Sequence, residues 1–152
     1  MKFGLIQAMV LSLAAFLAAP AAFASEPADV VQQFYASPSL AFGAGGSQGL
    51  LASDLAAALR AGPPGPSPVD FDYRYGFKET EITGLAFLPQ VDNDEAKVVA
   101  VFKNFGRPES VDWTLCRTPA GDWHIADASS NTGPQAWDLR QLLGLRPDPV
   151  RC

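Results

Sequence analysis

The chain has 152 residues, which suits a single domain, and 48% of them are hydrophobic against 18% charged. This balance is typical of a folded globular protein and excludes an intrinsically disordered one. The formal net charge of −5 disfavours DNA, RNA and anionic membranes as main partners. The chain has one histidine and no metal or nucleotide motif, so we expect no metal, no cofactor and no catalytic residue.

Residues 1–24 have the features of a secretory signal peptide. Lys2 gives a positive start, and the run Leu5–Ala19 is apolar and uncharged. That run is shorter than the roughly 20 residues that span a bilayer. Small residues at Ala22 and Ala24 favour cleavage before Ser25. We therefore expect a periplasmic or secreted product without stable membrane insertion, folded as one domain over 25–152.

Two short helices are predicted at the start of that domain. Apolar residues at helical spacing predict the first over Pro27–Ala36, and these are Val30, Val31, Phe34 and Tyr35. The Ala- and Leu-rich stretch Leu50–Ala61 predicts the second, with Ser53 and Asp54 as candidate caps and Gly62 beyond its end. The Gly-rich run 42–49 and the Pro-rich run 62–68 are typical of irregular connections.

From residue 71 the apolar pattern changes to a period of two. The alternating aromatic residues Phe71, Tyr73, Tyr75 and Phe77 predict a half-buried strand. Four more strands are predicted over 82–89, 97–105, 110–117 and 123–128. The turns between them are short, at 91–95, 106–108 and 119–122, which predicts an antiparallel meander.

The last predicted element is a helix that begins near Thr132-Gly133-Pro134 and runs to Leu143, with Gly144 ending it. Helices that are segregated from a run of antiparallel strands are typical of an α+β domain. We therefore expect short N-terminal helices packed on a curved antiparallel sheet, followed by a short C-terminal helix.

The two cysteines are Cys116 and Cys152. An exported protein meets an oxidising compartment, where a free exposed thiol is a liability, and this favours a disulfide between them. The alternative is a buried free Cys116 and a frayed terminal Cys152. The flanks of Cys116, Leu115 and Arg117, give no sign of a reactive thiol.

Four segments carry a family resemblance: 69–72, 96–105, 110–115 and the Gly-Asp-Trp-His-Ile-Ala-Asp run at 121–127. They resemble exported bacterial proteins of the domain of unknown function 3828 kind, in the cystatin-like, nuclear-transport-factor-2-like superfamily. The resemblance covers Pro27–Leu143. It implies a cone-shaped sheet wrapped on helices, often with a pocket, and no settled activity. By analogy it also implies a homodimer through the outer face of the sheet.

The candidate ligand-binding residues are Asp72, Tyr73, Tyr75 and Trp113. In pocket enzymes of that superfamily an Asp base and a Tyr donor act on a ketone or a similar substrate, which the resemblance extends to Asp72 and the tyrosines. On a straight strand, however, Asp72 and Tyr73 point to opposite faces, so only one enters a pocket. The alternative is that the aromatic residues line the core.

Two other sets of polar residues receive structural interpretations. His124 alternates with Trp123 and Ile125 and lacks partners at ligand or triad spacing, which is typical of a surface or pocket-rim histidine. The acidic run 92–95 lacks the spacing and the central glycine of an EF-hand and predicts a hairpin turn.

These observations leave several functions open. The first is a non-enzymatic module for a small apolar ligand or a protein partner, such as an immunity-type inhibitor of a basic toxin. The second is a small pocket enzyme of isomerase, dehydratase or hydrolase type that uses an Asp/Tyr pair. It requires Asp72 or Asp112 in a closed cavity. The third is a structural accessory of an envelope complex, marked by an exposed apolar patch.

Overall fold

The computed structural model describes residues 25–36, 48–62, 71–147 and 152. The predicted signal peptide and cleavage site, the run 42–47 and the run 63–68 lie outside or at the border of these residues. The elements in chain order are α1 (Pro27–Ala36), a 3-10 turn (Gln48–Leu50), α2 (Ser53–Ala61), β1 (Ile82–Asp92), β2 (Glu95–Asn104), β3 (Arg107–Arg117), β4 (Trp123–Ser130), β5 (Trp137–Asp138) and α3 (Leu139–Leu142). This order confirms the predicted α+β class.

The strands form one antiparallel sheet in the order β1-β2-β3-β4-β5, so each strand pairs with its neighbour in sequence. This confirms the predicted meander. The outer edge of β4 is occupied at both ends, because Leu51 bridges Ile125 at one end and β5 pairs with Ser129 and Ser130 at the other. No described residue pairs with the outer edge of β1.

One face of the sheet, called here the covered face, carries the core. Alternate side chains of β2 and β3 are buried there, among them Val98, Phe102, Val111, Trp113 and Leu115. Helix α1 packs on this face through the apolar stripe that predicted it, including Val31 and Phe34. The other face, called the open face, carries Lys97, Asp112 and Thr114 and is more exposed.

The bounds of α1 match the prediction, whereas α2 begins later than predicted. The amide of Ala52 donates to the carbonyl of Ile125 at 2.8 Å, and this bond holds Leu51 and Ala52 extended along β4. Ala52, and neither Ser53 nor Asp54, occupies the N-cap position, and within the first turn Asp54 Oδ1 accepts from the amide of Leu55 at 2.8 Å. Gly62 takes a positive φ of 80° and ends the helix, as predicted.

The predicted strand over Phe71–Phe77 is wrong, because these residues form a tight turn. The amide of Asp72 donates to the carbonyl of Phe77 at 3.1 Å, and the amides of Tyr75 and Gly76 donate back to the carbonyl of Asp72. Gly76 has a φ of 76°, a left-handed conformation that glycine adopts without strain. Backbone N–H and C=O groups that a strand would have paired with a neighbouring strand are therefore paired with one another within the turn.

The predicted helix from Thr132 is also wrong over most of its length. Thr132 Oγ1 accepts a hydrogen bond from the amide of Ser110 at 2.9 Å, which fastens the segment 131–136 to β3. The chain then forms β5, and Asp138 caps α3 by accepting from the amide of Gln141 at 2.8 Å. Only α3 is helical, and Gly144 follows it with a positive φ of 71°.

The hairpin turns are narrower than predicted. The β1–β2 turn is Asn93-Asp94, and the β2–β3 turn is Phe105-Gly106. Pro108 lies inside β3 opposite Lys103, so the predicted break at 106–108 ends at Gly106. The turn at Pro119-Ala120 lies where it was predicted.

Cys116 on β3 and the terminal Cys152 form a disulfide, with Cα atoms 5.8 Å apart. This pairing agrees with the favoured prediction. None of the helices in the described ranges combines the length and hydropathy required to cross a membrane.

Candidate functional site

Two of the predicted site residues, Tyr75 and Trp113, meet in an aromatic cluster on the covered face, and Tyr35 of α1 lies at its centre. The ring of Tyr35 lies 5.4 Å from Tyr75, 5.0 Å from Phe87 and 5.7 Å from Trp113, centroid to centroid. All three contacts are edge-on, the geometry that aromatic pairs favour. Sequence analysis placed Tyr35 on the apolar stripe of α1 but did not predict its central position.

The hydroxyl of Tyr35 connects three parts of the fold. It accepts a hydrogen bond from Trp113 Nε1 at 3.2 Å, and it donates to the backbone carbonyl of Arg74. Burial raises the pKa of Tyr35 well above its usual value, and the hydrogen bond from Trp113 only partly opposes that effect. The hydroxyl therefore stays protonated and serves as a structural donor.

Asp72 is held in an ion pair with Arg74. The Nε atom of Arg74 donates to both carboxylate oxygens at 3.0 Å, and its Nη2 atom lies 2.6 Å from Oδ2. The remaining Nη1 group donates to the carbonyl of Tyr35 at 3.2 Å. The hydrogen bond to Asp72 is the main cause that raises the pKa of Arg74. This bidentate pair directs the Asp72 carboxylate toward a cation, away from any tyrosine hydroxyl.

The four predicted residues thus fall into three environments. Tyr75 and Trp113 join the cluster around Tyr35, and Trp113 has no exposed surface. Tyr73 is buried separately, with its ring 5.6 Å from that of Phe71. Asp72 belongs to the ion pair. Their ligand-binding role stays a prediction, and the packing that the structure shows is that of core aromatic residues.

A second group of polar residues lies where β3, β4 and β5 meet. Asp112 is opposite Ser129, and Ser129 is opposite Asp138, so the three share one row of the sheet. They line an open cleft of about 280 Å³ together with Trp137 and Gln141. Asp112 forms an ion pair with Lys97 at 2.6 Å. Sequence analysis could not find this group, because it depends on the register of three strands.

Asp127 lies beside this row, and its pKa is the most strongly shifted among the carboxyl groups of the described residues. Its Oδ1 atom accepts hydrogen bonds from the amides of Ala128 at 2.8 Å and Arg140 at 3.1 Å. Burial first, and then the charge of Asp138, raise the pKa of Asp127 to about 6. The hydrogen bond from the amide of Arg140 to Asp127 also fastens α3 to β4.

Arg140 is a buried cation that ties the small helices to the sheet. Its Nη2 atom lies 2.7 Å from Asp54 Oδ2 on α2, its Nη1 atom donates to the carbonyl of Ala126, and its Nε atom donates to that of Arg146. Burial acts to raise the pKa of Asp54, but the Arg140 guanidinium outweighs it and lowers that pKa. Sequence analysis did not predict this pair, since Asp54 was interpreted as a helix cap.

His124 lies opposite Cys116 on the sheet. It lines an open cleft of about 420 Å³ with Asp29, Gln33 and Asp122, which fits the prediction of a pocket-rim histidine. No group of three or more histidine, cysteine or acidic side chains in the described ranges is arranged to hold a metal ion.

Strand β1 is the most exposed element of the sheet. Most of its residues are exposed, and Leu88 and Val91 keep 52% and 55% of their surface in contact with solvent. Leu88 lies opposite Val99 on the open face, and Val91 lies opposite Ala96 on the covered face. The acidic residues Glu81 and Asp92 stand at the two ends of this strand. The exposed apolar side chains of Leu88 and Val91 therefore lie on an edge strand that has a negative charge at each end.

Comparisons with protein-family models, curated proteins and solved structures found no match to this chain.

Proposed function

We propose that this protein is an exported, non-enzymatic interaction module that binds a basic, extended segment of a protein partner along the outer edge of β1. The single observation that carries the proposal is the exposure of this edge. An edge strand presents a row of backbone donors and acceptors that an incoming strand can pair with. Native sheets protect such edges with charged side chains, proline or bulges, and β1 has Pro89 and a register shift between Thr83 and Ala86, yet it exposes Leu88 and Val91.

The charge around β1 supports a basic partner. Glu81 precedes the strand, and Asp92, Asp94 and Glu95 surround its other end, all of them exposed. Lys97, which lies opposite Gln90 on the next strand, is paired with Asp112 at 2.6 Å. A segment that alternates apolar and basic side chains would place its apolar groups on Leu88 or Val91 and its charges near these acids.

The covered face supports this proposal over the small-ligand and pocket-enzyme alternatives. The rings of Tyr35, Tyr75, Phe102 and Trp113 pack against one another where a cone-shaped fold would hold its pocket. The ion pair with Arg74 also occupies the carboxylate of Asp72. An immunity-type inhibitor of a basic toxin is one activity of the proposed class.

Export and family membership are parts of the same proposal. The signal-peptide pattern over 1–24 supports release of a mature chain from Ser25 into the periplasm or medium, and the disulfide between Cys116 and Cys152 suits an oxidising compartment. The α+β meander with a helix on one face is compatible with the cystatin-like, nuclear-transport-factor-2-like superfamily. Neither part is needed for the experiment that tests the binding edge.

The test uses a synthetic peptide of alternating lysine and valine, as long as β1, and a matched peptide with glutamate in place of lysine. Binding is measured by calorimetry and by amide shifts in NMR spectra of the oxidised protein. We expect the lysine peptide to bind and to shift the amides of β1, and the glutamate peptide to bind at least about tenfold more weakly.

Variants locate the binding edge. Leu88→Lys and Val91→Lys change exposed side chains, so we expect an unchanged melting temperature and a loss of peptide binding of about tenfold or more. Thr114→Lys, exposed on β3 away from the edge, is the matched control and should bind like the wild type. Absence of binding, equal binding of both peptides, or pairing of β1 with a second copy instead of the peptide would each overturn the proposal.

A further inference from the structure

An open cleft of about 680 Å³ lies at the end of the sheet that carries the β2–β3 turn. Its walls are three segments: residues 77–79, the turn region 104–107 and residues 132–134. Glu109 of β3 also lines the cleft. None of these residues belongs to the aromatic cluster around Tyr35 or to β1.

The walls are fixed by hydrogen bonds, so the cleft is preformed. Asn104 is buried, and its Oδ1 atom accepts from the amide of Glu81 at 2.8 Å. The amide of Phe105 donates to the carbonyl of Glu81 at 3.1 Å. On the other side, the amide of Ser110 donates to Thr132 Oγ1 at 2.9 Å. A preformed cleft loses little entropy when it takes a ligand.

Phe105 places an exposed aromatic ring at the rim of this cleft. Its φ is 48°, a conformation that bulky side chains rarely adopt, and 57% of its surface is exposed. The positive φ values of Phe105 and Gly106 are those that a tight two-residue hairpin turn requires. Phe77 also lines the cleft, next to Gly133, where a Cβ atom would lie 3.3 Å from the Phe77 ring.

One carboxylate oxygen of Glu109 has no hydrogen-bond donor. Its Oε2 atom is the one buried side-chain oxygen or nitrogen among the described residues that lacks a hydrogen-bond partner. Oε2 itself has almost no accessible surface, whereas the residue as a whole is partly exposed and lines the cleft. Because the terminal torsion of glutamate is soft, a small rotation brings Oε2 toward a donor in the cleft. A charged N–H donor would make the strongest bond there.

Arg107 lies two residues before Glu109 on the same side of β3, about 6.6 Å along the strand. Asn104 and Phe102 stand opposite the two residues, and both are buried on the covered face. The cleft is therefore lined by a carboxylate and a guanidinium from one side of β3 and by two aromatic rings. Lys78 and Glu79 add one charge of each sign, so the lining as a whole is balanced.

We propose that this cleft binds a small zwitterion with the chemistry of a free α-amino acid that has an aromatic or apolar side chain. The ammonium group donates to the Glu109 carboxylate, the ligand carboxylate accepts from Arg107, and the side chain lies between Phe77 and Phe105. This assignment gives the unpartnered Glu109 oxygen a donor and the exposed Phe105 ring an apolar partner.

The test titrates the oxidised protein with three probes while amide NMR spectra are recorded: L-phenylalanine, L-phenylalaninamide, which lacks the carboxylate, and N-acetyl-L-phenylalanine, which lacks the ammonium group. We expect saturable shifts at Phe105, Gly106 and Gly133 with L-phenylalanine, and at least about tenfold weaker binding of each analogue. No saturable shift, or an analogue that binds as tightly as L-phenylalanine, would overturn the proposal.

Variants assign the two charged contacts. Glu109→Gln should weaken L-phenylalanine binding about tenfold or more, whereas Glu95→Gln, exposed at the far end of the sheet, is the matched control and should bind as the wild type does. Arg107→Gln should remove the preference for L-phenylalanine over its amide. Arg107 is exposed, so this second variant tests the proposal even if Glu109→Gln fails to fold. Unchanged binding in both variants contradicts the assignment.

Discussion

At the residue scale, the Tyr35 hydroxyl links α1 to β3 and to the 71–77 turn through its bonds with Trp113 and Arg74. Tyr35→Phe keeps the ring contacts and leaves the buried Trp113 Nε1 group without an acceptor. We therefore expect a loss of about 1–3 kcal/mol in the free energy of unfolding. Urea denaturation followed by tryptophan fluorescence measures this loss.

Tyr73→Phe is the control for that substitution. Tyr73 is buried to the same extent as Tyr35, at 7% exposure, but its described contact is the ring of Phe71. We expect a change of no more than about 0.5 kcal/mol. Equal effects of the two substitutions would show that the Tyr35 hydroxyl contributes no more than an ordinary buried hydroxyl does.

Asp127 makes the stability of the folded chain depend on pH. Its folded pKa of about 6 lies above the unfolded value of 3.8, so folding takes up a proton between these values and stability falls as the pH rises through that range. Asp127→Asn keeps an oxygen for the amides of Ala128 and Arg140 and removes the charge. We expect it to stabilise the protein at pH 7 by about 1 kcal/mol, a gain that solvent screening limits because the group is only partly buried.

Thermal denaturation between pH 4 and pH 8 measures this effect. The stability of Asp127→Asn should change less across the range from pH 4 to pH 6 than that of the wild type. Asp122→Asn, at an exposed turn position, should follow the wild-type curve. A wild-type slope in Asp127→Asn would rule out the coupling of Asp127 with Asp138 as its source.

At the scale of elements, the sequence predicted what depends on local pattern. Helix α1 has its predicted bounds because its apolar stripe and its first-turn proline act within one segment. The four long strands and their turns were predicted for the same reason, within a few residues. Helix α2 and the segment after Ser130 differ from prediction, because bonds to Ile125 and Ser110 on distant strands decide their conformation. Tertiary contacts of this kind leave no local signal.

The 71–77 segment differs from its predicted strand for another reason. Its aromatic alternation matches a strand, but Asp72 and Gly76 supply the hydrogen bonds and the positive φ of a turn, and the rings then pack inward from that turn. The prediction that Asp72 and Tyr73 point to opposite faces depended on a straight strand, which the turn replaces, while the ligand-binding role of the candidate residues stays a prediction. The glycine at position 76 was the feature of the sequence that indicated a turn instead of a strand.

Gly76 also gives a direct test of this turn. A Cβ atom on Gly76 would lie 2.5 Å from Trp137 Nε1, and the residue has a positive φ of 76°. Gly76→Ala should therefore lower the free energy of unfolding by about 2 kcal/mol or more. Gly84→Ala is the matched control, because Gly84 has a similar φ of 66° with nothing within 4 Å. Its loss should be only the conformational cost of about 1 kcal/mol, as thermal denaturation can establish.

At the scale of the whole molecule, the disulfide ties the last residue to the middle of the sheet. Cys116 and Cys152 are separated by 36 residues in sequence, and in the chain-entropy model closing such a loop stabilises the fold by about 4 kcal/mol at most. Cys152→Ser should lose most of that stability in urea denaturation. A reducing agent should destabilise the wild type by a similar amount and leave Cys152→Ser unchanged. Equal sensitivity of both proteins to the reducing agent would contradict this account.

The unequal edges of the sheet limit how copies of this chain associate. Within the described residues, β4 has its outer edge occupied by Leu51 and β5, while the outer edge of β1 is unpaired. Two copies that join β1 to β1 form a two-fold symmetric pair that uses the one long free edge among the described residues of each copy. A head-to-tail arrangement would have to pair β1 with the outer edge of β5, which is two residues long, so strand pairing favours a closed dimer over a fibre.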